Sequence, residues 1–286
     1  MNFYLLKEKI NTEKRNILLS IVIPVYNEEK TIREVLEQLP KDNQYEIVVV
    51  DDNSSDNSIQ EILKVKEQNP IRLIKHNKNE GYGSALLTGI KNANGKIVLT
   101  MDADGQHHPD DIFNLIQPII KGEADITIGS RYLGSYNYKL PIATIFGELI
   151  LEKLMKLIFR QKIKNNQGGF RAFNRKSLKI FNDIVFKDYA FTTEILLQAA
   201  LKEYKIKECP ITLKNRKYGS SKIILLKLFR SIMECFFYYT LKKINKYHKR
   251  KVLLNNFKKV RDLLFRYHPT RSLSLYYLPQ KVNLVA

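Results

Sequence analysis

Two hydrophobic rhythms alternate along the first half of the chain. Ile17–Ile23, Glu46–Val50, Ile71–Lys75, Ile97–Met101 and Ala124–Ile128 are short apolar or β-branched runs that read as buried strands. Between them apolar residues recur three or four apart, as in Ile32, Val35, Leu36, Leu39 and again in Ile112, Leu115, Ile116, Ile119. That spacing lays one stripe of a helix against a sheet. Ile59, Ile62, Leu63 and then Leu86, Leu87, Ile90 mark two further helices. Asn27-Glu28-Glu29 is expected to open the first helix, Asn27 capping it and the acids sitting at its positive end. Pro24 is expected to close the first strand, since it cannot donate to a ladder, and Pro109 to open the helix after the fourth. The alternation predicts an α/β fold, a Rossmann-like and mostly parallel sheet with helices on both faces and right-handed crossovers.

Polar clusters follow three of these strands, at Tyr26–Glu28, Asp51–Asp56 and Asp102–Gln106. In a doubly wound sheet they meet along one rim, where open α/β sheets bind ligands. The fourth strand runs into Asp102-Ala103-Asp104-Gly105. Side chains at i and i+2 of a strand share a side, so the two carboxylates converge and repel unless a cation lies between them. Hard oxygen ligands suit Mg²⁺ or Mn²⁺ shared with a substrate's phosphates. The alternative is an acidic turn in which Asp104 only helps to cap the next helix. Of Asp51 and Asp52, one is expected to serve a ligand and the other the turn. Gly81, Gly83 and Gly89 are expected to allow close helix–sheet packing, because their order fits no P-loop. His107 and His108 offer either a base or a turn beside Pro109. Glu194, in an otherwise apolar helical run, offers an active-site carboxylate or a solvated position.

Charge adds a second theme. The 286 residues hold 48 Lys and Arg against 29 Asp and Glu, a net charge of +19, and from Lys242 onward there are twelve basic residues and one acid. A basic tail calls for an anionic partner such as a membrane surface, nucleic acid or phosphorylated ligand, or else it only keeps the chain soluble. No nucleic-acid recognition motif accompanies it. The two cysteines, Cys209 and Cys235, lack metal spacing and read as reduced core thiols. Without a signal-peptide pattern or a spanning run of about 18 apolar residues, the expectation is a cytoplasmic protein.

Six segments in order resemble glycosyltransferase family 2. They are Ile21–Glu29 (IVIPVYNEE), Val50–Asp56 (VDDNSSD), Asp102–Gln106 (DADGQ), Gly129–Tyr132 (GSRY), Gln167–Phe173 (QGGFRAF), and Glu208–Ile211 (ECPI) with Arg216–Lys222 (RKYGSSK). The nearest likeness is to the dolichyl-phosphate mannose synthase group, over roughly Leu18 to Lys222. The resemblance implies a GT-A fold and inverting, metal-dependent transfer of a hexose from a nucleotide sugar, GDP-mannose or UDP-glucose in type. It implies that Pro24, Tyr26, Asn27 and Glu28 line the base and ribose pocket and that Asp52 contacts the base. Asp102, Asp104 and Gln106 would hold Mg²⁺ or Mn²⁺ on the donor diphosphate, and Asp104 and Arg131 would carry catalysis, Arg131 by receiving an acceptor phosphate. Arg216, Ser221 and Lys222 would close over the diphosphate.

The acceptor implied is a polyprenyl phosphate, whose oxygen is ionised near neutral pH and needs no general base. The alternative is a hydroxyl on a surface glycan or glycolipid, for which a base is expected. Two positions depart from the family pattern. Asn165 stands where the family often has Asp, and Lys139 stands where a second Arg is usual in the acceptor region; a lysine is a point charge rather than a fork.

The expected organisation is a glycosyltransferase domain over 1–222 and an amphipathic, basic helical extension over 223–286. In Pro141–Arg160 the charges Glu148, Glu152, Lys156 and Arg160 form one stripe of an otherwise apolar helix. In Lys227–Asn245 the polar positions leave a broad apolar face that includes Leu228, Phe229, Ile232, Phe236, Phe237 and Tyr239. Such a helix followed by lysines suits the cytoplasmic face of a membrane as a peripheral anchor, or packing on the domain or on another subunit of an oligomer.

Overall fold

The computed structural model describes residues 17–41, 44–67, 70–136, 142–188, 190–216, 218 and 225–267. Its sheet has seven strands, β1 (Leu19–Val25), β2 (Tyr45–Asp51), β3 (Ile71–Lys75), β4 (Ile97–Thr100), β5 (Ile126–Tyr136), β6 (Arg171–Asn174) and β7 (Ile206–Leu213). They lie in the order β3-β2-β1-β4-β6-β5-β7. All neighbours are parallel except β6, which runs antiparallel to both β4 and β5. The five expected strands are present. β6 and β7 were not read as strands from their pattern, and β5 runs on past Ile128 to Tyr136.

The helices are α1 (Ile32–Glu37), α2 (Ser58–Lys66), α3 (Tyr82–Asn92), α4 (Asp111–Ile120), α5 (Ile142–Phe159), α6 (Phe191–Leu201) and α7 (Leu225–Tyr267), with a 3-10 turn at Ser177–Asp183. Alternation along β1 sends Leu19, Ile21, Ile23 and Val25 into one core with α1, α2 and α4. Val22 faces the other core, with α3, α6 and the 3-10 turn. Gly89 is needed there, since a Cβ would stand 2.3 Å from Val22 Cγ1. A third core joins Leu151, Met155 and Phe159 of α5 to Leu196 and Leu197 of α6 and to Ile232, Cys235, Phe236 and Tyr239 of α7.

Two local expectations change. β1 does not stop at Pro24. Val22 accepts a hydrogen bond from Met101 and Val25 from Asp52, so even-numbered residues face β4 and odd ones β2. Pro24 therefore turns its missing N–H toward β4 beyond Thr100, where β4 has already ended. The first helix opens at Ile32 rather than Asn27. Asn27 sits in the left-handed region at φ 55°, and its loop is drawn to the β2 loop instead.

β1 leads to β2 on one side and the chain later crosses to β4 on the other, so the loops after β1 and β4 diverge and leave a crevice at their carboxyl ends. By contacts the chain divides into two compact units, the first ending at Thr240 and the second beginning at Leu241. The first unit thus takes in the start of α7, past the division expected at 222/223, because Ile232, Cys235, Phe236 and Tyr239 are buried in it. No helix among the described residues is long and apolar enough to cross a membrane.

Candidate active site

The Asp102–His107 turn follows β4 directly. Thr100 donates to the Gly169 carbonyl at 2.6 Å, which draws the loop before β6 against the end of β4. Gly169 lies so close to Asp102 that a Cβ there would stand 2.8 Å from both carboxylate oxygens and 2.5 Å from the Tyr82 hydroxyl. Tyr82 donates to Asp102 Oδ1 at 2.8 Å. Burial raises the Asp102 carboxyl above its ordinary pKa, and the neighbouring Asp104 adds to this. Loss of water around the Tyr82 hydroxyl, then the Asp102 charge, push that phenol well above its usual range, so it remains a donor. Asp104 is buried; Oδ1 accepts the Gln106 N–H at 3.1 Å and Oδ2 the Arg216 Nη2 at 2.8 Å.

These features fit a divalent cation. The two carboxylates lie close enough for Asp104 to raise the Asp102 pKa, and Asp104 already draws a guanidinium. Among the described residues no group of three His, Cys, Asp or Glu could hold a metal ion, so the remaining ligands would come from phosphate and water, as is usual for Mg²⁺. Gln106, expected as a third ligand, instead gives its side-chain amide to the Lys214 carbonyl at 3.0 Å, while its own carbonyl accepts the Lys214 N–H at 2.9 Å. These bonds dock the segment after β7 onto the Asp102–His107 turn and deliver Arg216. Tyr218 continues that segment, with Lys30 Nζ 5.7 Å from its ring centroid. Ser221 and Lys222 lie outside the described residues.

The β1 and β2 loops interlock. Asn27 Oδ1 accepts the Ser55 N–H at 2.8 Å, Ser54 Oγ accepts the Asn27 N–H at 3.0 Å, and Ser58 Oγ accepts the Glu28 N–H at 2.8 Å. Tyr26 beside them is exposed. Asp52, expected at the base, has both oxygens committed to the fold. Oδ1 lies 2.7 Å from His76 Nδ1 and accepts the Glu80 N–H, and Oδ2 accepts the Gly81 N–H at 2.8 Å. In Asp51 the reverse holds. Oδ2 accepts the Ser54 N–H at 3.3 Å, but Oδ1 is buried without a partner.

Three polar residues turn out to build the fold. His107 is buried, stacks on Phe170 with centroids 4.7 Å apart, and takes the Asp102 backbone N–H on Nδ1 at 3.3 Å. Glu194 is neither solvated nor at the crevice: it is 0% exposed and accepts the N–H groups of Val185 and Phe186 and the Tyr239 hydroxyl. Arg171, 1% exposed, donates to the carbonyls of Asn166, Gly168 and Thr192 and so shapes the loop that carries Gly169. Burial lowers its pKa to about 10, which leaves it charged at neutral pH. Its sequence signal was a lone cation between Phe170 and Phe173.

Arg131, expected to meet an acceptor phosphate, is buried and gives Nη2 to both oxygens of Glu148 at 2.6 and 2.7 Å, while its Nε has no partner. Tyr132 donates to the same carboxylate. The charged stripe expected on α5 is thus broken, because Glu148 faces inward. Asn165 donates to the Gly129 carbonyl at 2.6 Å. An aspartate could not make that bond, which accounts for the departure from the family pattern.

Comparison with known proteins agrees with this architecture. The family model described as "Glycosyl transferase family 2" matches residues 20–181. A UDP-N-acetylglucosamine–dolichyl-phosphate N-acetylglucosaminyltransferase of Methanococcus voltae is 34% identical over 239 residues, spanning 76% of this chain and 95% of that protein. A dolichol-phosphate mannosyltransferase of Pyrococcus furiosus is 34% identical over 219 residues, 72% of this chain and 59% of the other. Glucosyl-3-phosphoglycerate synthase of Mycobacterium tuberculosis, solved with Mn²⁺, UDP and glucosyl-3-phosphoglycerate, superposes with a TM-score of 0.62 at 20% identity, covering 79% of this chain and 81% of that one. That likeness bears out the expected GT-A fold. The match over more than half the chain, together with a relative at 34% identity along nearly its whole length, makes this chain a member of glycosyl transferase family 2 and therefore a glycosyltransferase.

Proposed function

We propose that the chain moves a hexose from a nucleotide sugar to an acceptor oxygen, with Asp102 and Asp104 holding Mg²⁺ or Mn²⁺ on the donor diphosphate. The observation that carries this is the convergence of the two carboxylates at the end of β4, one beside Gly169 and the other on Arg216. When bound, the ion supplies positive charge to the leaving diphosphate. The protein supplies the rest. Arg216, held on Asp104, keeps its positive charge beside the site of the diphosphate, as a preorganised donor should. The Tyr26–Glu28 loop, braced by Ser54 and Ser58, and Asp51 rather than Asp52, take the base and ribose. Pro24, next to last in β1, brings no N–H to the edge of the crevice beyond Thr100. Ser221 and Lys222 keep their proposed role over the diphosphate. The acceptor oxygen bonds to the anomeric carbon as the bond to the diphosphate oxygen breaks, with inversion.

Two acceptors are supported by different observations. A hydroxyl acceptor is favoured by the ion pair of Arg131 with Glu148, which neutralises the guanidinium expected to receive a phosphate. A polyprenyl phosphate is favoured by relatives whose names specify dolichyl phosphate as the acceptor. Incubation with labelled UDP- and GDP-sugars, Mn²⁺ and either short-chain polyprenyl phosphate or a glycan separates them. A lipid product cleaved by mild acid supports the phosphate acceptor; labelled glycan with no lipid product from any donor supports the hydroxyl. No transfer to either acceptor overturns the reading.

The membrane surface enters the same proposal. α5 exposes Phe146 and Leu149, and α7 exposes Phe229 and Phe237, the last at 69%. Exposed apolar groups partition into an interface, and each Lys or Arg near an anionic leaflet adds ~1 kcal/mol; twelve such residues follow from Lys242. The chain is expected to sediment with phosphatidylglycerol vesicles at low salt and to be released by high salt. Recovery in the supernatant at low salt counts against this.

A further inference from the structure

Asp102 does not hold its orientation by itself. Its Oδ1 accepts the Tyr82 hydroxyl at 2.8 Å, and Gly169 packs against both the phenol oxygen and the carboxylate. Oδ2 has no comparable donor among the described residues, with His107 Nδ1 standing 4.0 Å away. That histidine nitrogen is engaged by the Asp102 backbone N–H.

Tyr82 is in turn fixed from behind. It follows Gly81, whose φ of +91° few other residues adopt, and precedes Gly83, where a Cβ would stand 2.5 Å from the Lys187 carbonyl. The Glu80 and Gly81 N–H groups are both held by the Asp52 carboxylate. Asp52 is held by His76 Nδ1, and His76 Nε2 lies 2.9 Å from the Thr88 hydroxyl, one turn and a half along α3 from Tyr82 itself. A closed circuit therefore runs from the end of β2 through the α3 entrance to the end of β4. It fixes the hydroxyl by both the loop and the helix that carry it.

We propose that Tyr82 is a positioning residue for the metal site: its hydroxyl, set by Asp52 and His76, locks the Asp102 carboxylate so that one oxygen is spent on the phenol and the other is kept for the cation. This rests on the proposed assignment of Asp102 and Asp104 to Mg²⁺ or Mn²⁺. The physical reason is orientational. A carboxylate free to rotate samples arrangements in which neither oxygen faces the ion, and partners of this outer kind typically change metal affinity by about 10- to 100-fold. On this proposal the Asp52 carboxylate, expected at the nucleotide, instead braces the backbone that carries Tyr82.

The test is Mn²⁺ affinity, read by the electron paramagnetic resonance signal of free Mn²⁺ titrated into the full chain with saturating UDP or GDP, whichever stabilises the protein. Wild type, Tyr82→Phe, Asp102→Ala and Tyr204→Phe are compared. Tyr204→Phe is the control, since its hydroxyl donates to the Lys176 carbonyl beside the 3-10 turn and takes no part in the circuit. Tyr82→Phe is expected to weaken Mn²⁺ binding at least tenfold with an unchanged melting temperature in the absence of metal, and Tyr204→Phe to bind as wild type. Wild-type affinity in Tyr82→Phe, with Asp102→Ala deficient, overturns the positioning role and leaves the metal assignment standing. Wild-type affinity in Asp102→Ala overturns the metal assignment itself, and the positioning role with it. Should Tyr82→Phe melt early, Thr88→Val, which loosens the same circuit at its far end, is expected to weaken Mn²⁺ binding in the same direction; unaltered binding there also overturns the proposal.

Discussion

Asp104→Ala is expected to abolish sugar transfer while leaving a folded protein. Asp104 sits at the meeting point of the β4 turn and the segment after β7, bonded to Gln106 N–H and to Arg216. Losing it removes a charge that would face the cation and the acceptor of the Arg216 Nη2 hydrogen bond. Removing several kcal/mol of stabilisation from the developing diphosphate corresponds to a loss on the order of 10³-fold or more, at 1.36 kcal/mol per tenfold. The fold should tolerate the change, because the turn is also held by the Gln106–Lys214 backbone bond and by the packing of His107 on Phe170. Two measurements check this: turnover with the best donor, and circular dichroism on heating. Turnover within tenfold of wild type in a protein that melts normally would refute the assignment.

The second large effect is on stability. Glu194→Ala is expected to cost about 3 kcal/mol, because it strands three donors at once, the part-buried N–H groups of Val185 and Phe186 and the buried hydroxyl of Tyr239. For a unit of this size that corresponds to a fall in melting temperature of roughly 10 °C. Glu194→Gln keeps one acceptor oxygen and should fall between the two. Activity per folded molecule should not change, since Glu194 braces α7 and the segment before α6. A stable Glu194→Ala protein that cannot turn over would restore the carboxylate to the active site. Urea unfolding followed by fluorescence, beside an assay at low temperature, tells the two apart.

The same comparison separates what was legible in the chain from what was not. Strand and helix positions were readable because periods of 2 and 3.6 are local properties, visible in a few residues at a time. Asp102 and Asp104 were readable as a close pair after the fourth strand, although β4 ends at Thr100 and the turn rather than strand alternation aims them. Gly89 was readable as a close approach and proves to lie against Val22. β6 was hidden because Arg171–Asn174 is only four residues long and runs antiparallel between β4 and β5, with 34 residues or more of chain between it and either partner.

By itself the sequence determined the alternation of elements, the rim to which the polar clusters belong and the pair of acids at its centre, since each depends on neighbours within a turn or a strand. Tertiary structure alone decided which polar groups remain for a ligand. Asp52 is taken up by His76, 24 residues away, and Glu194 by Tyr239, 45 residues away. Glu148 turns inward because Arg131, 17 residues earlier, is buried beside it. A buried polar group must find a partner wherever the fold brings one, and no period in the chain encodes which one that will be.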